Sequence, residues 1–201
     1  MMTPLLRFAG PIALAASLAG CSLGGLLGGG KAPTVLYDLT PSAPAAGAIA
    51  RQSTAGNAVT VRIPVIGKEL RTTRIPVQVN AVQVAYVEDM QWVDTPDRLF
   101  QNLLEETITR STGRVVLDPQ QSGLDPGVAI SGQLQQFGFD AQRSVVVVRY
   151  DATLATQGGT SVQSRTFLAE LPADGTTATV APALNAAANQ VALQVAQWIG
   201  G

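Results

Sequence analysis

The stretch Val145–Leu171, VVVVRYDATLATQGGTSVQSRTFLAEL, decides the architecture. Val146, Val148, Tyr150, Ala152 and Leu154 fall on one face of an extended chain, with Arg149 and Asp151 on the other. This is the period-two pattern of a strand with one side on a core and one side in water. The density of β-branched residues from Val145 to Ala155 favours strand over helix. Gln157-Gly158-Gly159-Thr160 is a turn of the kind that closes a hairpin, so Ser161 to Leu171 is predicted to pair back on the first strand.

Working upstream, Val128, Ile130 and Leu134 keep one phase while Phe137 and Phe139 keep the other, which predicts a bulge or bend near Gln135-Gln136. The turn-rich segment from Asp118 to Gly127 precedes that strand, and Val115 to Leu117 reads as a brief strand before it. Asp94-Thr95-Pro96-Asp97 is a helix start, with a capping Asp or Thr, proline in the first turn and an acidic residue where the dipole favours it. Leu99, Phe100, Leu103, Leu104 and Ile108 follow at helical spacing, and Gly113 stands where a C-terminal cap is expected. Ile75 to Asn80 and Ala81 to Val87 are short apolar runs, the second with Val82, Val84 and Tyr86 in register, leading into Trp92. Val59 to Ile66 reads as one strand with Val59, Val61, Ile63 and Val65 on a common face; Pro64 inside it argues for an edge or a strand end. Pro33 to Leu39 suits a first strand, and the Ala-, Pro- and Gly-rich residues 42 to 56 a loop. Downstream, the chain closes with a helix from about Pro182, whose stripe is Leu184, Ala188, Val191, Val195 and Trp198. Together these elements predict an α+β fold, a largely antiparallel sheet with two main helices packed on one face. No repeat of fixed period is visible.

Histidine is absent from the chain. That excludes Ser-His-Asp and Cys-His catalysis, imidazole acid-base chemistry and His-containing zinc sites. No Gly-x-Ser-x-Gly or Ser-x-x-Lys motif replaces them, and no catalytic, cofactor or metal residues are assigned. Charged residues make up 13% of the chain against 46% hydrophobic ones. Part of the surface is therefore expected to be covered by a partner, by copies of the chain in a homo-oligomer, or by lipid. The weakly acidic balance, without basic clusters, gives no footprint for nucleic acid.

The first residues read as an export signal: Arg7 supplies the positive charge and Phe8 to Leu18 the apolar region. That run is too short to cross a bilayer, which takes about 20 apolar residues. Leu18-Ala19-Gly20-Cys21 looks like a bacterial lipobox, in which the cysteine sulfur takes a diacylglyceryl group and becomes the first mature residue, carrying acyl chains such as palmitate. The competing reading of Cys21 is a buried thiol, but Gly20 and Ser22 flank it and it is the single cysteine of the chain. Arg7 leaves with the signal, so 12 of the 13 Lys and Arg face all 14 Asp and Glu, a mature formal charge of −2. Ser22 to Gly30 is glycine-rich and reads as a flexible tether. A phosphate cradle is the poorer reading, since no strand precedes it and no Gly-Lys-Ser/Thr follows. The expected organisation is a signal peptide over 1–20, the lipidated cysteine and tether over 21–33, and one domain over 34–201.

The order of motifs resembles the ABC-type transport auxiliary lipoprotein family, whose members accompany lipid transporters of the mammalian-cell-entry type. The residues carrying the resemblance are Tyr37-Asp38-Leu39, Val84 to Trp92 leading into Thr95-Pro96-Asp97-Arg98-Leu99-Phe100-Gln101, the strand ending Leu134-Gln135-Gln136-Phe137, the strand from Val145 to Leu154 and the alanine-rich final helix. The block from Trp92 to Leu99 is the most specific of them; the insert at 42–56 departs from the pattern. The resemblance implies a non-enzymatic role in moving phospholipid between inner and outer membranes, with the chain lipid-anchored at the periplasmic face of the outer membrane. Ser22 agrees, because it is not the Asp that in enteric bacteria retains lipoproteins at the inner membrane. It further implies a mammalian-cell-entry-type substrate-binding partner and ATP hydrolysis by separate subunits. A lipid- or small-ligand-binding envelope lipoprotein and a structural one are the alternatives.

Tyr86 and Trp92 are candidate partner contacts, since aromatics contribute disproportionately at interfaces; the plainer reading is that they close the core at the start of the first helix. Trp198 is a third candidate, set against simple packing of the helix end on the sheet. Glu88-Asp89 and Glu105-Glu106 read as solvated surface, because helix neighbours do not face each other.

Overall fold

The computed structural model describes residues 35–45, 51–125, 127–156 and 159–200. They belong to a compact unit running from Pro33 to Gly201. The strands are β1 (Val59–Val61), β2 (Val65–Ile66), β3 (Arg74–Asn80), β4 (Gln83–Gln91), β5 (Val116–Leu117), β6 (Val128–Asp140), β7 (Val145–Thr156) and β8 (Ser161–Pro172). The helices are α1 (Pro96–Thr112) and α2 (Thr177–Gly200). The predicted α+β class is observed, with both helices on one face of an eight-stranded sheet.

β6 is the spine. Along one side it pairs antiparallel with β7, and β7 pairs antiparallel with β8 over its whole length. Along the other side it takes β1, β2 and β3 in turn, each parallel, with β5 outside β1 and β4 antiparallel outside β3. The long ladders are antiparallel as expected, and the short parallel pairings make the sheet mixed. Between Leu134↔Tyr150 and Gln136↔Arg149 the register shifts, at the predicted bulge. This extra residue puts Phe137 and Phe139 on the same buried face as Ile130 and Leu134; without it both rings would face water.

On β7 the predicted inner set Val146, Val148, Tyr150, Ala152 and Leu154 is buried throughout. Tyr150 lies over Gly132, where a Cβ would come within 2.8 Å of the phenol oxygen, so the close approach requires glycine. Burial pushes the Tyr150 phenol up, and the ring packs edge-on against Phe100 of α1. The helix α1 buries Leu99, Phe100, Leu103, Leu104 and Ile108 as its spacing predicts. Gly113 ends it at φ 68°, a left-handed conformation that glycine adopts without penalty. At the other end Thr95 is the N-cap by position, but its side chain makes no capping bond.

Four sequence expectations are corrected. Val59–Ile66 is not one strand: β1 and β2 are separate, and the alternation breaks at Pro64, so that Val65 is 63% exposed while Ile66 is buried. Ile63 is exposed with it, rather than sharing the face of Val59 and Val61. Of the predicted first strand, only Tyr37 pairs with the sheet, in an isolated parallel bridge to Trp92; Pro33 and Thr34 lie outside the described residues. Finally, α2 begins at Thr177 and not at Pro182, which sits inside it. Asp174 sets the earlier start: its carboxylate accepts from the Thr179 hydroxyl and from the Thr176 hydroxyl and backbone N–H. Those bonds hold the Asp174 carboxyl down at about 2.

Candidate functional site

Cys21 lies outside the described residues. Trp92 is 1% exposed, with its ring 5.6 Å from that of Phe137 in the core. Its backbone N–H donates to Thr73 O at 2.8 Å, and its Nε1 finds no acceptor among the described residues. The partner-contact reading of Trp92 is therefore corrected, because the indole has no surface to offer. Tyr86 is half-buried on the sheet face away from the helices; its Oη donates to Glu69 O at 3.3 Å, and the Arg74 guanidinium stacks 4.2 Å from the ring centroid. Trp198 is half-buried near the end of α2 with its ring 5.5 Å from Phe167 on the helix-covered face. Tyr86 and Trp198 thus belong to opposite faces and do not form one surface.

The carboxylates do not assemble into an acid-base pair. Glu88 and Asp89 are exposed where Val87 to Met90 bow out of the β3–β4 ladder, between the pairs Arg74↔Gln91 and Pro76↔Tyr86. Asp89 adopts φ 51° there, a conformation that Asp tolerates better than most residues, and Met90 turns into the core. Glu106 pairs with Arg110 one helical turn on. Glu105 departs from the expected solvated state: it is half-buried and accepts from Gln101 Nε2 at 3.1 Å. Burial is the main cause of its raised pKa, with Asp118 adding to it and the Gln101 bond opposing it. The same Gln101 Nε2 donates to Val61 O at 2.9 Å and so ties α1 to β1. Among the described residues no group of three or more His, Cys, Asp or Glu side chains could hold a metal ion.

Two features mark the surface. A shallow groove of about 60 Å³ opens on the helix-free face between β3, β6 and β7, lined by Leu70, Pro76, Val84, Phe137 and Val147 with Gln78 and Asp140 at its polar margin. It is open to solvent, whereas pockets that carry small molecules bury most of the ligand surface. Beside it the β3–β4 hairpin projects with Val79, Val82 and Val84 exposed, Val82 at 91%.

The second feature is a strap. Tyr37 is held to the sheet by its N–H to Gln91 O at 2.9 Å and its carbonyl from Val93 N–H at 2.8 Å. The chain then crosses the helices. Thr40 N–H donates to Asn185 Oδ1 at 2.9 Å, Asn189 Nδ2 donates to Thr40 O at 2.9 Å, Ser42 N–H donates to Asn189 Oδ1 at 2.6 Å, and Arg110 Nη1 donates to Ala43 O at 2.7 Å. Asn189 is buried and serves as donor and acceptor at once, as a neighbouring strand would. Sequence reasoning overlooked it; the available signal was a pair of asparagines four residues apart in an otherwise Ala-rich helix. Asn189→Ala is expected to cost about 1–3 kcal/mol by leaving strap backbone groups unpaired, and to expose residues 40–45 to limited proteolysis. Unchanged unfolding and cleavage would show that the strap is held elsewhere.

Comparison with known proteins agrees with this architecture. No curated protein matches the chain significantly. Solved structures that share its fold include protein XCC0632 from Xanthomonas campestris, a DUF330 protein, at TM-score 0.62 and 19% identity over 84% of this chain and 92% of that one, and an uncharacterized protein at TM-score 0.57 and 18% identity over 75% of this chain and 94% of that one. The sequence profile of the ABC-type transport auxiliary lipoprotein component family matches residues 37–196, from the start of the strap into the last turns of α2. With its strap, sheet, α1 and most of α2 inside that match, the chain belongs to the ABC-type transport auxiliary lipoprotein component family.

Proposed function

We propose that this protein is a non-catalytic accessory of a mammalian-cell-entry-type ABC system that moves phospholipid between the inner and outer membranes. It is held at the periplasmic face of the outer membrane by acyl chains on Cys21, with residues 1–20 removed as a signal peptide, 21–33 as tether and 34–201 as the working domain. The observation that carries this reading is the family match across residues 37–196. The sequence Leu18-Ala19-Gly20-Cys21 directly upstream supports the anchor. Two acyl chains suffice for stable attachment, since each buried methylene contributes about 0.8 kcal/mol. The protein then works by contact: it places a folded surface beside the bilayer, while ATP is hydrolysed by other subunits.

Affinity purification of the lipidated protein from membranes of its own host tests the partner. A mammalian-cell-entry-type substrate-binding protein is expected to co-purify. Recovery of unrelated envelope proteins alone would overturn the transport reading.

A further inference from the structure

We infer that the tip of the β3–β4 hairpin, Val79 to Val84, is a second membrane contact that dips into a zwitterionic phospholipid surface. The inference rests on the lipid-anchored reading of Cys21.

Composition is the first support. From Ile75 to Val87 the chain carries no charged residue; Val82 projects from the turn, and Val79 and Val84 are exposed on the adjoining strand ends, flanking the uncharged Asn80 and Gln83. The base of the hairpin is different: Tyr86 carries Arg74 stacked on its ring. An apolar tip below an aromatic ring and an arginine is the layering that suits acyl chains below headgroups, because Tyr and Arg each combine an apolar body with a polar end.

Reach is the second support. The register Gln78↔Asp140 places the tip at the end of β6, with the Ala141 N–H donating to Gln78 O beside it, whereas Tyr37 enters at the far end of β4 beside Trp92. The seven residues of β3 measure roughly 20 Å at strand rise. The covalent chain from Cys21 to Val35 spans up to about 50 Å, so a bilayer holding Cys21 lies within reach of the tip. A surface already kept close needs only a weak additional contact. Three valines are too few for a protein interface, which takes about 800 Å² from each partner.

The neighbouring charges select the lipid. Asp140, Glu170 and Asp174 stand at the same end of the sheet, and among the described residues only Arg143 opposes them, bonded to Asp140 at 2.8 Å and to Glu170 at 2.7 Å. An anionic surface would be repelled there, and a zwitterionic one would not.

The test uses the full lipidated chain in phosphatidylcholine vesicles with Val82→Cys labelled by a fluorophore, acylated Cys21 leaving it the single free thiol. The control is Leu124→Cys, which is 79% exposed and precedes the opposite end of β6. Doxyl-labelled lipid is expected to quench the label at position 82 severalfold more strongly than at 124. Equal, weak quenching on protein that floats with the vesicles would overturn the hairpin contact and leave the anchor standing. Two labels per chain and no flotation would defeat the anchor and this inference together. A label at 82 shielded from aqueous iodide by host envelope proteins, but not by lipid, would assign the tip to a protein and overturn the lipid contact.

Discussion

Trp92→Ala is expected to lower the unfolding free energy by about 3–5 kcal/mol, the range for emptying a large aromatic from a packed core. Marginal stability of about 5–15 kcal/mol makes this a severe loss. The indole fills the junction where β4 ends, the strap enters and α1 begins, against Phe137 across the bulge in β6. Its removal leaves a cavity there and loosens the Tyr37 bridge on which the strap depends. Trp92→Phe should cost much less, because Nε1 has no acceptor among the described residues, so deleting it forfeits volume without orphaning a partner. Urea unfolding at constant m separates the variants. A Trp92→Ala protein of native stability that loses only partner binding would restore the surface-anchor reading.

Cys21→Ala carries the largest expected cellular effect. As a member of a family of transport auxiliary lipoproteins, the chain works in the cell envelope, and its attachment is proposed to reside in one sulfur. The variant should fold with the stability of the parent, since the strap begins sixteen positions later at Tyr37, yet, once residues 1–20 are removed, leave the membrane fraction. Among the described residues no helix is long and apolar enough to cross a membrane, and the hairpin tip is too small a contact to retain the domain unaided. Fractionation of cells expressing the variant checks this; retention in the membrane pellet after a high-salt wash would refute the anchor.

How much of this could be read from residues alone follows from the range of the interactions. Helix α1, with its Pro96 start and Gly113 stop, rests on contacts within a few residues, and the sequence pattern shows it plainly. The bulge at Gln135 is equally local, because the hydrophobic phase changes only there. The inner face of β7 reads correctly because alternation continues across the whole strand. Parallel pairing of β1, β2 and β3 on β6 was not legible, since it joins residues far apart with no turn between them to fix direction. Pro182 misled because proline favours a first turn, while Asp174, with its bonds to Thr176 and Thr179, starts the helix earlier.

At the site the same division holds. Trp92 and Tyr86 are both aromatic residues of one short segment, and nothing local distinguishes the buried one from the half-exposed one. The bulge decides it: Val87 to Met90 bow out of the ladder between them, so Trp92 enters the core while Tyr86 remains on the opposite face. Asn189 escaped notice because its partners, Thr40 and Ser42, lie nearly the whole domain away in sequence. The exposed valines of the hairpin tip read as ordinary strand residues until the register put them at a free end.

The intact mass of the protein purified from its own host decides whether Cys21 is acylated. The expected species starts at Cys21 and carries the added mass of a diacylglyceryl group and an amide-linked acyl chain. An uncleaved chain beginning at Met1 with an unmodified thiol would contradict it.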